Sequence, residues 1–251
     1  MTSLIRAEIL KLVRRRGTMI WCLILTVGVV LLAEIIVLSL HAANPAHHGP
    51  AGGVDGFEGY SGLLGFIGSV AAIIIGSTAG SQDVQNGVFR DLVVTGRKRS
   101  TLFNVRAPGA LAVFIPMLAA AFLLAFIVTF AFAGSKPTPD GSEIAHVVLY
   151  VLAITTINLV LAVGLAAFVS ARIVVGVLIA WYAIVSHILI SIKSLAGARN
   201  LLDVAAAEQL APRHMLDNHL SMSDATAVVV LVVWAAIFLS AGRWWTNRVD
   251  A

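Results

Sequence analysis

The sequence predicts an all-α integral membrane protein. It is read as a six-transmembrane-helix bundle with an N-terminal amphipathic helix. A short amphipathic helix follows span two, and short helices lie between spans five and six. Three observations lead there. Of 251 residues, 59% are hydrophobic and only 12% are charged, against roughly half and a quarter in soluble domains. Six apolar stretches approach or exceed the ~20 residues that cross a bilayer. Basic residues alternate between the connections, rich and poor in turn.

The six stretches are 18–40, 62–81, 108–133, 145–169, 173–192 and 225–242. Each must be helix, because lipid offers no partner to an unpaired backbone amide or carbonyl. A barrel would need strands that alternate apolar and polar residues, and "VVLLAEIIVL" does not alternate. The first 17 residues carry Arg6, Lys11, Arg14, Arg15 and Arg16, and the connection 82–107 carries Arg90, Arg97, Lys98, Arg99 and Arg106. The connection 41–61 carries no Lys or Arg, and the next carries only Lys136. Alternate sides hold 13 and 4 of the 17 basic residues, and the richer side is expected to be cytoplasmic. Both termini then lie inside, as an even number of spans requires. The expected location is the cell membrane. The oily run after the first basic cluster is too long for a cleaved signal's core and is read as span one. The pI near 9.6 is accounted for by this topology, so no nucleic-acid partner is expected. Cys22 is the only cysteine, which rules out an intrachain disulfide.

Before span one, Ile5, Ile9, Leu12 and Val13 recur at helical spacing, with Glu8, Lys11 and Arg15 on the other side. A basic amphipathic helix lying in the membrane interface is expected. The loop "HAANPAHHGPAGGVDGFEG" is read as a flexible connection. Its His41, His47 and His48 lack metal-ligand spacing, so no metal is expected. Within span two, Gly68, Ala72, Gly76 and Gly80 repeat every four residues, a register that lets helices approach closely. The stretch "GSQDVQNGVFRDLVVTGRKRS" (80–100) concentrates charge between two spans. Val84, Val88 and Leu92 make an apolar stripe and Asp83, Asn86 and Arg90 a polar face, so one short amphipathic helix is expected over 82–95, ended by Gly96. Pro108 suits the first turn of span three, and Pro116 is expected to bend that span. The semi-polar stretch before span six, with Asp203, Glu208 and Asp217, suits one or two short helices capping the bundle from outside. Trp21, Trp244 and Trp245 are read as interface anchors.

No motif for nucleotide hydrolysis, zinc catalysis or a serine nucleophile is present. Glu34 in span one and His187 in span five are ionisable groups at membrane depth and candidates for a translocation path. The alternatives are a carboxylate leaning to the outer headgroups and a structural, hydrogen-bonded histidine. Ser186 precedes His187 in sequence but points about 100° away on a helix, so the two are not expected to act as a catalytic pair.

The layout resembles the permease subunit of ABC-2 type ABC transporters. "SLIRAEILKLVRRRG" is similar to that family's elbow helix, which carries Ile5, Glu8, Ile9, Lys11 and Leu12 here. After span two the family shows an acid, three residues, a glycine, one residue and an aromatic. This chain has Asp83, then Gly87, Val88, Phe89 and Arg90, followed by Leu92 and Arg99, with Asp83 replacing the commoner Glu and Gly96 standing where Pro is common. The resemblance implies that 82–95 is a coupling helix resting on a separate ATP-binding subunit. It further implies a complex of two permease and two ATPase copies, with ATP and Mg held by the ATPase and no cofactor bound by this chain. The chain itself is then no enzyme, and export is the implied direction. The rival readings are an ion-coupled secondary transporter, a lipid-modifying membrane enzyme, and a sensor or immunity protein with a permease fold.

Overall fold

The structure, a computed structural model, describes residues 2–45, 47–94, 96–212 and 222–248; the side chain of Lys193 is not described. Among the described residues every regular element is helical. Six helices are long and apolar enough to cross a membrane: Arg16–Ala43, Val54–Gln85, Arg99–Ala131, Gly141–Leu165, Ala171–Ser191 and Asp224–Arg248. We number these spans one to six. A further helix, Thr2–Val13, precedes them.

Each expected stretch overlaps one span. Two begin well before the expected position, span two at Val54 rather than 62 and span three at Arg99 rather than 108. Residues 54–61, assigned from composition to a flexible loop, are helical because tertiary packing shelters them. Gly53, at φ +84°, turns the chain into the helix, and its N–H donates to Thr129 O at 3.1 Å. One turn on, buried Phe57 stacks on Phe126 of span three with ring centroids 5.2 Å apart. Pro116 lies inside the helix Arg106–Ala131.

Spans two and four form the sheltered centre; spans one, five and six lie outside and expose large apolar side chains such as Leu32, Ile188 and Val232. That distribution suits a bundle whose outer face meets hydrocarbon. Lipid tails are as apolar as leucine, so burying such side chains gives no drive for helix association, and close packing must hold the spans together. The small-residue stripe supplies it. Ala72 is fully buried, and a Cβ on Gly80 would stand 2.6 Å from Val163 O of span four. Gly76 meets Leu159 O in the same way. The neighbour that this stripe serves is span four of the same chain. A second close crossing was not singled out in the sequence: a Cβ on Gly242 in span six would stand 2.8 Å from Gly164 O in span four.

Two spans contain a π-helical turn, Ile24–Gly28 in span one and Trp181–Val185 in span five. Beyond span five the chain forms 3₁₀ turns over Lys193–Leu201 and a helix over Asp203–Gln209, which packs on spans four and six. The polar residues within this segment fasten it. Trp181 Nε1 donates to buried Asp203 Oδ1 at 2.9 Å, and Trp234 Nε1 donates to Leu201 O at 2.8 Å. Asp217 and the rest of 213–221 lie outside the described residues.

Replacing Gly76 by Leu is expected to force spans two and four apart and to cost roughly 3 kcal/mol or more, the upper end for overpacked cores. Gly65→Ala is the control, since its Cβ meets only side chains at 3.7 Å. Thermal unfolding in detergent checks both: the first variant should lose its folded population and the second should melt close to the parent.

Candidate functional site

Where the N-terminal helix meets spans two and three, four charged side chains converge. Glu8 and Lys11 come from one face of Thr2–Val13, Asp83 from the last turn of span two, and Arg106 from the first turn of the helix Arg106–Ala131. Lys11 Nζ lies 2.6 Å from Glu8 Oε2 and 2.8 Å from Asp83 Oδ1. Arg106 Nη1 donates to Gly80 O at 2.7 Å, and its Nη2 lies 3.6 Å from Asp83 Oδ2. Arg106 is 0% exposed, and Asp83 and Glu8 are buried beside it. Gly109 makes room for the helix, because a Cβ there would stand 2.6 Å from Glu8 Cγ.

Two acids against two bases leave the group neutral, the condition under which buried charges are tolerated. Hydrogen bonds are incomplete: among the described residues Arg106 Nε and Nη2 and Glu8 Oε1 have no hydrogen-bond partner. Aromatic faces take up part of the cation's demand. The guanidinium carbon of Arg106 lies 6.0 Å from the Phe89 ring centroid and 5.7 Å from that of Phe103, within cation–π range. Burial pushes the Glu8 carboxyl above the usual carboxylate range, and Lys11 beside it pulls the other way.

The N-terminal helix therefore differs from the expected one. Ile5 and Ile9 are half-buried and Leu12 is fully buried, but Val13 is half exposed, and Glu8 sits on the buried face. Lys11, three residues on in the same helix, and the nearby Arg106 supply the cations that allow this; that Arg106 and Asp83 stand on this face is not legible in a reading of the helix alone. Residues 82–95 also depart from the expected single helix. Span two runs on to Gln85 and carries Asp83 into the cluster. The helix then breaks at Gly87, whose φ of +70° belongs to the left-handed region that glycine favours. A new short helix runs from Phe89 to Val94. Val84 and Val88 are exposed, Leu92 is partly buried, and Asn86 and Arg90 are exposed. The residue that anchors the new helix is Phe89, 4% exposed beneath Arg106. Val94, in contrast, is 80% exposed. Arg97 and Lys98 are exposed too, while Arg99 Nη1 donates to Asn247 O at the end of span six at 3.2 Å.

The two membrane-depth candidates lie elsewhere. Glu34 is buried between span one and its neighbours, with Oε1 lacking a hydrogen-bond partner among the described residues. His187 Nε2 stands 3.3 Å from Glu208 Oε1. Ser186 Oγ donates to Tyr182 O at 3.0 Å, so its proton is committed to the backbone although His187 Nδ1 is 3.4 Å away. Among the described residues no three His, Cys, Asp or Glu side chains converge as metal ligands. Trp21, Trp244 and Trp245 are all exposed, and Arg248 lies over the Trp244 ring at 4.1 Å.

The chain matches no family model, no curated protein and no solved structure. Its fold and composition define a class, the multi-pass α-helical membrane protein of six spans.

Arg106→Leu, which strands the Asp83 carboxylate beside Lys11 alone, is expected to cost about 3–5 kcal/mol, as broken buried pairs do. Adding Asp83→Leu should recover part of that loss in thermal unfolding of the purified protein. Glu8 makes a second prediction. Between the ordinary carboxylate range and the raised folded value, and only there, its folded carboxyl holds a proton that the unfolded chain has released, so docking of the N-terminal helix should weaken as pH rises through that interval. Glu8→Gln should flatten that slope in melting curves taken across the same pH range.

Proposed function

We propose that the chain is the transmembrane permease subunit of an ABC-2 type ABC transporter, working as an exporter. The complex would hold two permease copies and two copies of a separate ATP-binding subunit, which binds ATP and Mg. One observation carries this reading. The short helix Phe89–Val94 presents Arg90 and Val94 to solvent, with exposed Val88 just before it, while its first residue is clamped under Arg106. An exposed apolar and basic tip with a rigid root is what a docking handle needs. The distribution of Lys and Arg supports putting this tip on the cytoplasmic side, with both termini.

In the mechanism, ATP draws the two ATPase copies together and each pulls on a Phe89–Val94 helix. The pull passes through Phe89 to Arg106 and Asp83, and so to spans two and three and the N-terminal helix together. ATP can favour one permease state only through contacts that differ between states, and this cluster is the element that would transmit them. A second reading, an ion-coupled secondary transporter, draws support from Glu34 alone, a buried carboxyl group at membrane depth.

Asp83 is a poor probe of docking, since its loss would disturb the bundle. Arg90→Ala with Val94→Asp alters only exposed side chains. Expressed with an ATP-binding-cassette subunit, this double variant is expected to insert and melt like the parent while copurifying ATPase and its stimulation fall about tenfold, the equivalent of 1.4 kcal/mol. Unchanged copurification and stimulation would overturn the proposal.

A further inference from the structure

Two hollows stand in the bundle. The larger, about 810 Å³, lies between spans two, four and five at the end away from the charged cluster, with Asp55, Glu143, Tyr150, Tyr182, His187 and Glu208 on its walls. The smaller, about 310 Å³, lies further along span four toward the cluster and is wholly apolar. Leu161 and Leu165 of span four form its floor, Val177, Leu178 and Trp181 of span five one wall, and Trp234 and Phe238 of span six the other. Span five leans chiefly on span two and span six on span four, which leaves a groove between them. Its mouth faces outward: Val177 is half exposed, and Ile173 and Ile237 flanking it are exposed.

At mid-depth the groove is shut by Trp181 and Trp234, whose ring centroids are 6.2 Å apart. Both indole N–H groups are already committed, one to Asp203 Oδ1 and one to Leu201 O, so neither is left for a polar guest. A second aromatic pair, Phe168 and Trp245, stands toward the charged-cluster end with centroids 5.3 Å apart. Trp245 follows Trp234 by 11 residues, which is three turns along the same face of span six and about 16 Å of helix. That length is about half the hydrocarbon thickness of a bilayer. The two aromatic pairs therefore bracket the depth of one leaflet.

We propose that this groove holds one acyl chain of a phospholipid from the leaflet on the charged-cluster side. The chain's methyl end stops beneath the Trp181–Trp234 pair, and its ester end lies level with Phe168 and Trp245. The lining offers a guest nothing but carbon, and the mouth is continuous with the exposed apolar surface that spans five and six turn outward. A helix from a second copy, about 10 Å across, is too broad to descend to Leu161 and Leu165 in a space of this volume. Apolar burial gives no drive in lipid, so the gain is one of contact: an unfilled gap forfeits the dispersion attraction of its lining, and a seated chain restores it. The chain then acts as packing between spans five and six. The inference needs only a membrane-spanning bundle, so it stands or falls apart from the permease reading.

The probe is a phosphatidylcholine that carries a diazirine midway along one acyl chain, present as a trace in nanodiscs around the full chain. After illumination, peptide mass spectrometry locates the label. Strong labelling is expected at Leu165 and Phe238, which are only partly exposed, with exposed Leu32 of span one as the reference for lipid that merely skirts the bundle. Val177→Trp enlarges a half-exposed wall and fills the groove, so it should lower labelling at Leu165 and Phe238 about tenfold and leave Leu32 unchanged. Val177→Phe, a smaller filler, should lower it about threefold. Labelling at Leu165 and Phe238 that is indifferent to either filler, in a variant that melts like the parent, would overturn the proposal. So would loss of the label in nanodiscs holding two chains but not in those holding one, which would make the groove a contact between copies.

Discussion

The arrangement depends on a rule about charge in a poorly solvating place: a charged side chain can leave water only in company. Arg106 is wholly enclosed where three helices meet, and it is tolerated because Asp83, a backbone carbonyl of Gly80 and two aromatic rings surround it. Lys11 then has to sit between Asp83 and Glu8, and Glu8 is buried in turn. Each member makes the next one necessary. Buried pairs of this kind add little net stability over apolar packing but are costly to break singly. Their effect is to leave the N-terminal helix, the end of span two and the start of span three one acceptable mutual arrangement.

What the sequence made legible follows the range of the interactions involved. Spans are declared by runs of apolar residues, a local property, and all six expected stretches overlap helices. The Gly68–Gly80 stripe is legible for the same reason: a four-residue repeat of small side chains can only mean close approach, here by span four. What escaped depended on partners distant in sequence. Residues 54–61 look like a glycine-rich loop until Phe57 finds Phe126. Glu8 belongs to the solvent side of an amphipathic helix unless Arg106 and Asp83 are known to be waiting on that face. Asp83, some 72 positions from Lys11, was read as a docking residue and is buried. Gly87, by contrast, offered a local warning of a break that a period-four stripe of Val84, Val88 and Leu92 concealed. The cavity between spans two, four and five could not be read at all, since its acids come from three segments far apart in sequence.

The two ends of the molecule are built on opposite principles. At the cluster, cations and anions cancel and the surrounding backbone is locked by contacts at hydrogen-bond distance. At the cavity, aromatic and polar side chains line space that is left over. A neutral, filled junction resists change, and a hollow one leaves room for it.

The π-helical turn of span five has a consequence for shape. It lodges one additional residue in the helix, and an extra residue rotates everything beyond it by roughly 100°. Val174 and Leu178, on the near side of that turn, are buried. Without the surplus residue, the register that buries them would aim a different side chain than His187 toward Glu208. The distortion thus acts as a swivel in an otherwise rigid rod: both halves of span five bury a side against the bundle, Val174 and Leu178 before the turn and Ile190 after it, and the turn sets which further side chain faces the hollow.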